Sequence, residues 1–172
     1  MSLAPVAERD DSSPVRRSFG RKKFDKQPTQ AAAVLIATNG ETVPGAVIRQ
    51  AVRLSRGEPV AVVSIARIYG SSFGLPNPGL MPTRKEMAEQ REIVEATVTK
   101  LERAGVEAWG QIAASRRPAK TMAEAAQARG VRHILVVRAL QSKRWRLMVE
   151  GDLAKDVARK VGRDVTVEGV LP

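Results

Sequence analysis

Five short apolar runs alternate with amphipathic segments along this chain, and that alternation constrains the fold more than any other feature of the sequence. The runs are AAAVLIAT (31–38), PVAVVSIARI (59–68), VEAWGQIA (106–113), VRHILVV (131–137) and DVTVEGV (164–170). Continuous apolar runs of this length suit strands buried on both faces, the pattern of a parallel sheet. Between them lie helical stripes. Val47, Ile48, Ala51 and Val52 follow helical spacing within 44–56, with Gly57 as a stop. Thr83-x-x-Glu86 is a capping box that opens a long helix through Met87, Val94, Val98 and Leu101 to Gly105. Pro118 suits a first turn, and its helix runs through Met122, Ala125 and Ala126 to Gly130. Asp152 caps a last helix carrying Leu153, Val157 and Val161, with Gly162 as its stop.

Strict alternation of this kind implies an α/β fold: one doubly wound, five-stranded parallel sheet with helices on both faces and right-handed crossovers. The 172 residues suit one such domain, expected over 31–172, preceded by a tail over 1–30. The tail holds Pro5, Pro14 and Pro28, scattered serines and no periodicity, the composition of a disordered segment.

In such sheets a ligand sits beyond the carboxyl ends of the strands, where strand order reverses. With the first strand central, its exit at Thr38, Asn39 and Gly40 faces the segment that leaves the fourth strand at Arg138. That second segment is expected to be a basic loop, with Arg138, Lys143, Arg144 and Arg146 around Trp145, leading into a helix start at Gly151 and Asp152. Helix starts of this kind attract anions, but loops that wrap a phosphate with backbone are normally rich in glycine. Neither GxGxxG after the first strand nor GxxxxGK[ST] is present, which excludes the dinucleotide fingerprint and the P-loop. Asn39-Gly40 is also a common turn dipeptide. The segment Gly70 to Gly74 lacks a basic residue and reads as a linker or crevice lid.

Chemistry-bearing residues are scarce. There is no cysteine, and His133 is the single histidine, placed within an apolar run where a packed imidazole is expected. A histidine or cysteine metal site therefore has little material, and no metal is expected. Nucleophile, base and oxyanion donors do not assemble in the sequence, so the expectation is a non-enzyme.

Charge is the compositional outlier, +11 from 29 Lys and Arg against 18 Asp and Glu. Within the tail, Arg16, Arg17, Arg21, Lys22, Lys23 and Lys26 are interleaved with Phe19 and Phe24, cations for phosphates and rings for bases. Lys143, Arg144, Trp145 and Arg146 repeat that combination. The leading expectation is a nucleic-acid or ribosome partner held by these two segments. A nucleotide-sensing module and a protein-binding adaptor are the alternatives. No apolar run is long enough to span a bilayer, and the first residues lack the layout of a secretory signal, so a cytoplasmic location is expected.

The element order over 31–172 resembles the universal stress protein family. In that family the fourth strand is followed by G-x2-G-x9-G-[ST], and at this spacing Arg138 and Gln141 stand at the first two glycine positions, Gly151 at the third and Asp152 at the hydroxyl position. The family's acidic residue after the first strand corresponds to Asn39, before Gly40 and Glu41. The resemblance implies a stress-response domain whose nucleotide site comprises Thr38, Asn39, Gly40, Arg138, Gln141, Gly151 and Asp152. ATP is its implied ligand, and the lost glycines argue against the usual backbone-wrapped mode, leaving no cofactor expected. It also implies a homodimer through the fifth strand, VTVEGVLP.

Overall fold

The computed structural model describes residues 30–68, 81–137 and 152–170. Its elements follow in strict alternation: β1 (Val34–Thr38), α1 (Gly45–Ser55), β2 (Val60–Arg67), α2 (Arg84–Arg103), β3 (Ala108–Ser115), α3 (Pro118–Arg129), β4 (His133–Val137), α4 (Leu153–Ala158) and β5 (Thr166–Val170). The five strands form one parallel sheet in the order β3-β2-β1-β4-β5. The chain therefore winds outward from β1 through β2 to β3, returns to β4 on the other side of β1, and ends at β5. Strand order reverses between β1 and β4, as the sequence pattern predicts.

β1 is buried along its whole length because it has a neighbour on either side and a helix layer on either face. Its side chains alternate between two cores. Val34 and Ile36 join Val47, Ile48 and Ala51 of α1 and Val94 and Leu101 of α2 on one face. Leu35 and Ala37 join Met122 and Ala126 of α3 and Val157 of α4 on the other. All four described helices are thus held by apolar stripes that match the predicted ones.

Local chemistry sets the ends of the elements. Thr83 and Glu86 form the predicted capping box: the Thr83 hydroxyl accepts from the Glu86 N–H at 3.1 Å, and the Glu86 carboxylate accepts from the Thr83 N–H at 2.7 Å. Gly130 ends α3 in the left-handed conformation at φ 63°. At the end of α1 the left-handed turn begins one residue earlier than predicted, at Arg56 with φ 52°, and continues through Gly57 at φ 84°. α4 is shorter than its apolar spacing suggests. It stops at Ala158, and Val161 follows it in a turn rather than in the helix.

Gly110 in β3 marks the closest approach of helix to sheet. A Cβ there would overlap the Val94 side chain and come within 3.3 Å of Val98, so α2 lies on β3 only because this position is glycine.

Two measurements of urea unfolding test these packing arguments. Gly110→Ala is expected to destabilise the fold by about 1–3 kcal/mol, the cost of overpacking a core contact. Thr83→Ala is expected to cost about 1 kcal/mol through the lost cap. The Thr83 hydrogen bonds also hold the Glu86 carboxyl below its ordinary pKa. That contribution is complete above the unfolded carboxyl pKa and is lost as pH falls through the lower folded value. Glu86→Gln, which removes the titrating carboxyl, should therefore flatten the acid side of the stability profile.

Candidate functional site

The crevice at the reversal point is built from the turn after β1. Thr38, fully buried, closes this turn: its hydroxyl donates to the Glu41 carbonyl at 2.7 Å and accepts from the Glu41 N–H at 2.8 Å. Thr38 thereby shapes the site, while its hydroxyl is committed within the turn. Gly40 sits at φ 84°, a conformation that disfavours any side chain. Between them, the Asn39 Oδ1 atom is shielded from solvent and accepts no hydrogen bond from the described residues. A buried carbonyl acceptor left in that state costs about 1–3 kcal/mol, so a donor brought to it gains unusually well.

α2 reaches this turn through Gln90. Its Oε1 accepts from the buried Ser64 hydroxyl of β2, and its amide lies against Gly40 where a Cβ would otherwise stand. Ser64 pairs in register with Thr38, so the two hydroxyls stand side by side at the end of the sheet. Sequence reasoning did not single out Gln90. Its signal was Ser64, a polar residue inside an otherwise apolar run, which needs a partner when buried.

Of the predicted nucleotide-site residues, Thr38, Asn39 and Gly40 come together in this turn, beside the end of β4 at Val137. Asp152 caps α4, accepting from the Ala154 N–H at 3.2 Å and lying 3.9 Å from the Lys155 Nζ. With only six residues in α4 and a carboxylate already at its first turn, this helix start is poorly suited to hold a phosphate by itself. Arg138, Gln141 and Gly151 lie outside the described residues. So do the predicted nucleic-acid contacts Arg16, Arg17, Phe19, Arg21, Lys22, Lys23, Phe24, Lys26, Lys143, Arg144, Trp145 and Arg146, together with the predicted tail and the Gly70–Gly74 segment.

Two further features lie away from the crevice. A shallow cavity of about 390 Å³ opens at the carboxyl end of β3, lined by Ser115, Arg116, Arg117, Lys120 and Thr121, and β2 separates it from β1. His133 begins β4, at the opposite end of the sheet from the crevice, with its Nδ1 atom buried and without a hydrogen-bond partner among the described residues. Among the described residues no group of His, Asp or Glu could hold a metal ion, and no helix is long and apolar enough to cross a membrane.

The Gln90 contact is testable by a double-mutant cycle on unfolding free energy. Gln90→Ala leaves the Ser64 hydroxyl buried without its acceptor and is expected to cost about 1–3 kcal/mol. Adding Ser64→Ala should recover part of that loss, a coupling that independent sites do not show.

No sequence-family profile and no curated protein matches the chain. Solved structures do. The chain is similar to the universal stress protein from Archaeoglobus fulgidus in complex with dAMP, with a TM-score of 0.56 and 19% identity over 80% of this chain and 98% of that one. A second structure of universal stress protein from Archaeoglobus fulgidus matches with a TM-score of 0.57 and 16% identity, covering 80% of this chain and 95% of that one. A universal stress protein in complex with cAMP matches with a TM-score of 0.52 and 11% identity, covering 83% and 98%. The five-stranded parallel domain described above has the universal stress protein fold.

Proposed function

We propose that the domain is a non-catalytic nucleotide-binding module that takes an adenine nucleotide in the crevice between the ends of β1 and β4. The observation that carries this reading is the buried, unpartnered Asn39 acceptor at the reversal point of the sheet. It offers one carbonyl oxygen to a donor such as an exocyclic amine or a ribose hydroxyl. Two structures of the same fold were solved with dAMP and with cAMP, which supports the nucleotide class. The phosphates would be held by cationic side chains of 138–146 rather than wrapped by backbone, since Arg138 and Gln141 stand where the fold's nucleotide binders have glycine. The chemistry of the described residues supports sensing rather than turnover. The one imidazole, His133, is at the far end of the sheet from the crevice, and Thr38 is already engaged by Glu41.

A second reading follows from where the charge lies. Segments 1–29 and 138–151 hold 11 of the 29 Lys and Arg residues, and Arg116, Arg117 and Lys120 add cations at the carboxyl end of β3. This distribution favours a polyanion such as RNA, including ribosomal RNA, lying across the carboxyl end of the sheet.

Calorimetry of the full chain with ATP, ADP and cyclic AMP tests the first reading. Binding is expected, and Asn39→Leu should weaken it by about tenfold or more through the lost acceptor. No heat at millimolar nucleotide rejects it. Filter binding to RNA across a salt series tests the second. Affinity is expected to fall steeply with salt and to drop when Arg21, Lys22 and Lys23 are neutralised together. A flat salt response rejects it.

A further inference from the structure

The two helix layers cover the edge strand β3 unequally. α2 lies across β2 and β3 on one face, whereas on the other α3 packs beside α4 and meets β3 along one flank only. Side chains alternate along the strand, so Trp109, Gln111 and Ala113 point to the α3 face. All three are half-buried there. A half-open groove therefore runs between β3 and α3, with Trp109 and Ala113 as its apolar floor.

Arg129, in the last turn of α3, spans this groove. Its Nη1 donates to the Ala125 carbonyl at 2.9 Å, and its Nη2 donates to the side-chain carbonyl of Gln111 on β3. Both acceptors are neutral. The Nε–H is buried and meets no acceptor among the described residues. Burial pulls the pKa of this guanidinium down, and no described carboxylate stands near enough to oppose the shift. Arg132 and Arg159, both exposed, lie instead against Glu58 and Asp156. Of these three arginines the most buried is the one without an anion, the reverse of the rule that charges leaving water are paired. The carboxyl end of α3 offsets part of a positive charge, not a whole one.

The chain carries a matching charge close by. Residues 1–29 join the domain beside Arg129, where the Ala32 N–H donates to the Arg129 carbonyl at 3.1 Å. Within that segment Glu8, Asp10 and Asp11 form a short acidic stretch, and Leu3, Pro5 and Val6 come just before it. A random coil running from Asp11 to Gln30 spans about 25 Å. Tethering at that length raises the local concentration of the acidic stretch to about the millimolar range, far above that of any free partner.

We infer that the groove between β3 and α3 is a docking site for the acidic stretch of this chain's own N-terminal segment, with its carboxylates on Arg129 and its apolar residues on the floor at Trp109 and Ala113. A guanidinium takes carboxylates through charge-assisted, two-pronged hydrogen bonds, and an apolar floor beside it supplies the contact area. The carboxylate of Glu124 on α3 does not serve this purpose, since it stands 3.6 Å from the Lys120 Nζ one turn earlier. The basic stretch from Arg16 to Lys26 has the wrong sign for Arg129 and stays outside the groove.

The chain has no cysteine, so an introduced pair reports on one contact alone. Ser12→Cys follows the acidic stretch, and Ala128→Cys stands exposed beside Arg129. In the full chain carrying both, the internal disulfide is expected to form under dilute oxidant about tenfold faster than when Glu8→Gln, Asp10→Asn and Asp11→Asn are added. Removing those carboxylates lets the neighbouring thiol ionise more readily, so a slower rate comes from lost docking and not from the thiol. Arg129→Gln should slow the reaction to the same extent, with foldedness checked by circular dichroism. Should that variant fail to fold, the tail substitutions decide the matter, because they leave the domain unchanged. High salt should erase the difference between acidic and neutral tails. Equal rates for the two tails at low salt would leave Arg129 to an acid from another molecule and overturn the proposal. So would a disulfide that joins two chains instead of closing one, or a folded Arg129→Gln variant that cross-links at the original rate.

Discussion

The structure depends on β1 being sandwiched in its own plane. Because β2 and β4 both pair with it in parallel, every β1 side chain is enclosed, and the strand is apolar up to Thr38, whose hydroxyl is satisfied by Glu41. Right-handed crossovers then leave little freedom. α1 and α2 go to one face, and α3 and α4 to the other. The same pairing opens a crevice at the ends of β1 and β4, since the connections leaving those strands diverge to opposite faces. Architecture and site location are thus two results of one constraint.

That constraint explains what could be read without coordinates. Buried strands of a parallel sheet need apolar side chains on both faces, so VLIAT and VAVVSIAR announce themselves. Capping by Thr83 with Glu86, and by Asp152, is a local matter of hydroxyl or carboxylate against free N–H groups, and it was legible for the same reason. Boundaries set by turns were less so. Arg56 takes a left-handed conformation that a sequence reader assigns to the following Gly57, and α4 ends before its apolar spacing does. These ends are decided by how the next strand is reached, which is tertiary information.

The site was legible only in part, and for a different reason. Asn39-Gly40 reads more readily as a turn than as a ligand contact, and in the structure Gly40 supplies the turn while the Asn39 Oδ1 atom has no hydrogen-bond partner among the described residues. Thr38, expected as a site residue, closes the turn with its hydroxyl. Gln90 could not be found from its own neighbourhood, since its partners Ser64 and Gly40 are distant in sequence. Close approach across a sheet leaves no periodic mark. It shows only as a polar residue or a glycine out of pattern, as Ser64 and Gly110 are.

The two apolar cores also differ in when they can close. The face covered by α1 and α2 draws its helices from residues 45–103, whereas the face covered by α3 and α4 waits for residues beyond 118. During synthesis the first three strands can assemble with one face already roofed and the other bare. Leu35, Ala37, Ala61, Val63 and Ile65 then form a continuous greasy surface on a nascent chain, hidden only when Met122 and Ala126 arrive from the ribosome. A pause in translation after β3 has emerged from the ribosome and before α3 follows it would prolong that exposure.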